Sequence, residues 1–175
     1  MEQVNEGTRR PLTNQSSQDI FLKLEGIQGE SKDHTHREKI EVLSWRWKMS
    51  QDSSMHVGSG GGIGKATVYD LEVEHYVDRA SPTLMICSLT GKHIKQATLV
   101  MRKAGGSPHE YSKIVMDDVL ITGVQMSCNR TGTNIVETFG LSFAKVRQEY
   151  NIQRADGGSE GVVSAGFDIK GNAQL

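Results

Sequence analysis

The chain has 175 residues, enough for one domain with a proper core. Its 20 basic and 21 acidic residues nearly cancel, which gives no general pull toward nucleic acid or an anionic membrane. Hydrophobic residues at 36% are sparse, but the 19 glycines bring the total to an ordinary globular level, and with only three prolines this suits an all-β protein.

Residues 1–18 read as a flexible polar tail with no apolar h-region, hence no secretory signal. Residues 19–175 read as one domain. "DIFLKL" is a short strand, and "GIQGESKDHTHRE" a polar loop. "KIEVLSWRWKM" alternates, which places Leu43, Trp45, Trp47 and Met49 on a core face and Ser44, Arg46 and Lys48 on a polar one. Trp45 and Trp47 are read as core anchors. The glycine-rich stretch 50–65 follows. "TVYDLEVEHYV" alternates again, with Tyr69, Leu71, Val73 and Val77 opposite Asp70, Glu72 and Glu74.

The period then breaks. "SPTLMICSLTG" predicts the one helix, with Ser81 as N-cap, Pro82 at the first helical position and Gly91 as the stop. Strands resume with "KQATLVMRK", the turn "AGGSPHE", the long "YSKIVMDDVLITGVQMS" and the long "IVETFGLSFAKVRQEYNI". The last of these places Phe139, Leu141 and Phe143 on one face. Asp117-Asp118 interrupts the apolar phase and predicts a bulge or break. "VVSAGFDIK" closes the chain. About seven antiparallel strands and one helix point to an all-β barrel. No apolar run is long enough to cross a bilayer as a helix. Cys87 and Cys128 read as unpaired thiols.

The chemical candidates are weak. "HVGSGGGIGKATVYD" resembles a phosphate loop, but Ser59 stands where the first glycine should be and Ala66 where a hydroxyl should be. A strand follows rather than a helix. His34 and His36 have strand spacing for a metal pair, with His56, His75 or His93 as a third ligand, but in a charged loop they read better as solvated. Neither cofactor nor metal is expected. The alternative is a small metal- or phosphate-dependent barrel enzyme using His34, His36 or the glycine loop. A further reading is a sugar-binding sandwich that exposes Trp45 and Trp47.

The Trp-x-Trp strand, "SMHVGSGGGIGKATVYDLEVEHYVD", the Ser-Pro helix start and "RKAGG" closely resemble the haemolysin-coregulated protein (Hcp) family of bacterial type VI secretion. The resemblance covers about Asp19 to Leu175. It implies a β-barrel with one flanking helix, assembled as a hexameric ring. The rings stack into a secreted tube inside contractile sheath proteins, capped by the VgrG spike, with small effectors chaperoned in the lumen. It implies manufacture in the cytoplasm and export without a cleaved signal, and it implies no enzyme, no nucleic-acid partner and no membrane insertion. The family lines its lumen with the polar face of the Trp-x-Trp strand, which makes Ser44, Arg46 and Lys48 the expected effector contacts. Arg46, a five-donor cation, suggests cargo with an acidic patch. Ring stacking is expected at the barrel rims, through Met55, His56, Gly58, Gly60, Gly61, Gly62, Gly64, Lys65, Gly105, Gly106 and Lys170.

Overall fold

The computed structural model describes residues 18–51, 66–103, 108–154 and 158–175. In chain order the elements are β1 (Gln18–Leu24), β2 (Ile40–Arg46), β3 (Met49–Ser50), β4 (Thr67–Val68), β5 (Leu71–Tyr76), α1 (Ser81–Thr90), β6 (Ile94–Lys103), β7 (His109–Ser127), β8 (Val136–Gln153), β9 (Ser159–Asp168) and β10 (Ala173–Gln174). The order β8-β5-β2-β1-β6-β7 closes when β7 also pairs with β8, which makes a six-stranded barrel. Closure removes the unpaired edges of an open sheet. Every pairing is antiparallel. β9 extends the sheet from the C-terminal half of β8, and β10 covers only its last residues. The seven expected strands are the long ones; β3, β4 and β10 are two-residue pairings too short to leave a pattern.

The barrel is filled by one apolar cluster, which includes Leu22, Leu71, Val73, Leu99, Met116, Phe139 and Leu141. Phe139, Leu141 and Phe143 share the inward face as expected. The face assigned to β2 needs correction. Ile40 and Val42 are buried, whereas Leu43 is 42% and Met49 55% exposed. The reason is a bulge. The β2–β5 register shifts between Val42 and Ser44, so the inward phase passes from even to odd residues across Leu43. Trp45 and Trp47 then pack, half-buried, against the core. Tyr69, expected on the apolar face, lies ahead of β5 and is exposed.

The expected bulge at Asp117-Asp118 also needs correction. The β7–β8 register runs in step from Asp117 opposite Lys145 to Val119 opposite Phe143, and the register shift lies further on, between Ile121 and Gly123. Asp118 instead takes a left-handed backbone, φ 54°. This lets Met116 and Val119 both face inward across an interval of three.

The helix begins one residue earlier than the capping pattern implies. Ala80 occupies the cap without a side-chain cap bond, and Ser81 is the first helical residue. Asp78 takes over the turn, its Oδ1 accepting the Ala80 N–H at 2.8 Å. Gly91 ends the helix at φ 65°, donating its N–H to Cys87 O, as only a residue without Cβ does at no steric cost. Leu84 and Cys87 face the barrel, while Met85, Ile86 and Leu89 face outward.

The loop between β1 and β2 is pinned by Arg102, whose side chain is 11% exposed. Its Nη2 donates to Asp19 Oδ2 at 2.8 Å and to Asp33 Oδ2 at 2.6 Å, and its Nη1 to Asp33 Oδ1 at 3.1 Å. The guanidinium holds the Asp33 carboxyl far below the usual carboxylate range, against the opposing effect of burial. A depressed carboxyl stabilises the fold above its unfolded value, about 3.9, and loses that contribution as pH falls below it. Asp33→Asn therefore destabilises the protein at pH 7, and its gap from wild type begins to close below about pH 4. Urea midpoints across pH measure this; a gap that stays constant contradicts it.

Candidate assembly and cargo surfaces

The strip expected to contact cargo sits on β2 beside β5. Antiparallel pairing sets Ser44 opposite Glu74 and Arg46 opposite Glu72. Ser44, Arg46 and Lys48 are all exposed. Arg46 is not a free cation, because its Nε–H is engaged by Glu72 Oε2. Lys48 Nζ lies 4.9 Å from the centre of the Tyr69 ring. A shallow groove of about 240 Å³ runs along this strip, lined by Ser44, Arg46, Glu72, Glu74 and Thr138. The strip thus carries both signs of charge. Beneath it Trp47 Nε1 donates to Tyr69 O at 3.0 Å, and its ring meets Phe143 edge-on at 5.7 Å.

Most stacking candidates lie outside the described residues: Met55, His56, Gly58, Gly60, Gly61, Gly62, Gly64, Lys65, Gly105 and Gly106. Their flanks are described. β2 runs toward, and β5 away from, the barrel end where β6 finishes and β7 begins. The described flanks of the glycine segment and of Gly105-Gly106 therefore lie at the same end. Lys170 is placed elsewhere, where β9 gives way to β10. Its Nζ lies 2.8 Å from Asp118 Oδ2, and His93 Nδ1 lies 2.6 Å from Oδ1 of the same carboxylate. Lys170 and His93, in that order, lower the Asp118 carboxyl.

Among the described residues, no group of three or more His, Cys, Asp or Glu side chains is placed to hold a metal ion. His34 is exposed, as a solvated residue should be, but His36 is buried and stacked on Phe21 with ring centroids 4.4 Å apart. The aromatic contact overrides the polar character of its loop. Among the described residues no helix is long and apolar enough to cross a membrane. Cys87 and Cys128 are both free thiols.

One feature was missed in the sequence. His75 and Glu137 are directly paired across β5 and β8, and both are almost fully buried. His75 Nε2 lies 2.7 Å from Glu137 Oε2, and Ser81 Oγ donates to the same oxygen at 2.8 Å. This ties the first helical turn to the barrel wall. The available signal was position: His75 continues the buried phase of Leu71 and Val73.

A family model described as "Type VI secretion system effector, Hcp" matches residues 21–150. The chain belongs to the Hcp family. It is 44% identical over 158 residues to Protein hcp1 of Pseudomonas aeruginosa, covering 89% of this chain and 98% of that protein. The crystal structure of Hcp1 from Salmonella typhimurium is 46% identical with TM-score 0.76, covering 91% of this chain and 99% of that one. A type VI secretion system effector from Yersinia pestis is 39% identical with TM-score 0.71, covering 86% and 99% respectively. Hcp proteins are secreted structural subunits of the type VI tube, and this chain is one of them. Nothing in the comparisons supports a metal- or phosphate-dependent enzyme.

His75→Leu leaves a buried carboxyl group without its main partner and should cost about 3 kcal/mol. The denaturation midpoint measures this; an unchanged midpoint contradicts the role given to the pair.

Proposed function

We propose that this Hcp protein builds the inner tube as stacked homohexameric rings and carries small effectors in the ring lumen against Ser44, Arg46 and Lys48. The observation that carries this reading is the closed barrel of an Hcp chain whose β2–β5 wall is polar outward and apolar inward. The contractile sheath proteins surround the tube, and the VgrG spike caps it. The protein is made in the cytoplasm and leaves through the apparatus itself, with no cleaved signal. Family membership supports these partners and this route.

Stacking uses the rims. The barrel end that carries the flanks of the glycine segment and of Gly105-Gly106 is one contact surface, and the Lys170 region is the other. Each exposed charge there contributes little alone, and multiplicity around the ring compensates.

The Arg46–Glu72 pair sharpens the cargo preference. An acidic effector must compete with Glu72 for the guanidinium. Arg46→Asp should weaken co-purification of an acidic effector severalfold while rings still form, and Glu72→Gln should strengthen it. Equal recovery with wild type and both variants would contradict cargo contact at this strip. The tube role itself is tested in a strain lacking this chain. Loss of effector secretion, restored by the gene in trans, is expected; undiminished secretion would overturn it.

A further inference from the structure

The outer wall of the barrel carries a second, smaller buried layer. Phe21, Val100 and Val115 alternate with core residues of β1, β6 and β7, so they point outward, yet all are buried. The β1–β2 loop folds over them and seats His36 on Phe21. Beside this seat lies a cavity of about 410 Å³. Lys23, Lys39, Lys113 and Arg147 line it, against the carboxylates Glu110 and Glu149. Glu149 is shared between Lys113 and Arg147, at 3.5 and 3.3 Å.

The chemistry of His36 reveals what is lacking. The side chain is 3% exposed, and its Nδ1 lies 2.8 Å from Lys39 Nζ. An ammonium only donates, so Nδ1 accepts and the imidazole proton sits on Nε2. That buried N–H has no hydrogen-bond partner. Glu110 Oε1 lies 2.9 Å away as an ion-pair contact without completing a hydrogen bond, on a side chain 43% exposed. A buried donor without an acceptor is costly and rare. Burial also lowers the Lys39 ammonium, with Lys23 and Lys113 adding to the effect and Glu110 and Asp33 opposing it. The cavity thus holds a spare donor and crowded cations.

We propose that this cavity binds a free multivalent oxyanion, a phosphate or small polycarboxylate, through Lys23, Lys39 and the His36 Nε2–H, with Glu110 as the internal carboxylate it displaces. Glu110 swings into solvent as the anion enters. Binding is tighter at lower pH. Imidazole protonation is opposed by burial, by Lys39 of the same loop and by Arg102 of β6, and favoured by Glu110 of β7 and Asp33 of the loop; Phe21 of β1 stacks on the ring without charge. A bound anion adds to the favouring side.

The test is calorimetric titration of the assembled protein with inorganic phosphate and, separately, citrate at constant ionic strength. Buffers of differing ionisation heat report proton uptake. Saturable binding of either anion with proton uptake is expected, and the tighter binder identifies the ligand class. Lys39→Met should weaken binding about tenfold. Glu110→Gln, a conservative change on an exposed side chain, should tighten it. The proposal is overturned if neither anion binds saturably, if Lys39→Met binds as wild type does, or if binding appears only after the assembly is dissociated. The last result would mean that a neighbouring chain fills the cavity.

Discussion

The pairing of β7 with β8, from Ser112 opposite Tyr150 to Ser127 opposite Val136, is the constraint on which the rest of the fold depends. It joins the two outer strands of a six-stranded sheet and turns that sheet into a barrel. Closure gives each wall strand an inside and an outside. The inside must be apolar, because it has no access to water. The outside is free to carry assembly and cargo chemistry. The polar strip of β2 and β5 and the charged cavity over β1, β6 and β7 are two outer faces of one closed wall.

Closure must also accommodate strands that bend, and the backbone does so at two kinds of place. The register shifts opposite Val42–Ser44 and between Ile121 and Gly123, while Asp118 turns left-handed without a shift. In each case the inward phase changes parity. Polar links then fix what the barrel core does not reach. Arg102 holds the β1–β2 loop through Asp19 and Asp33, and Glu137 holds the helix start through Ser81.

Strand positions are legible because alternation is local: β1, the buried Leu71 and Val73 of β5 and the inward run Phe139, Leu141 and Phe143 fall where the pattern puts them, although β5 starts only at Leu71. The helix was legible from Pro82 and Gly91, but its cap was not, because Ser81 is recruited by Glu137, 56 residues away. The exposure of Leu43 was hidden, since a one-residue bulge leaves no local mark. His36 looked solvated for the same kind of reason. Its partner Phe21 sits on another strand, and only folding brings the two rings together. The Arg46–Glu72 pair was equally invisible, as it depends on the β2–β5 register. Local pattern thus located the elements, and long-range pairing decided the chemistry of their surfaces.

The central claim is that this barrel is one subunit of an open ring. Imaging the purified full-length protein by electron microscopy, alongside its mass in solution, tests that claim most directly. Six-fold rings with a clear central channel, and a mass of six chains, are the expected result. A stable single chain at the same concentration, with no ring in the images, would contradict it.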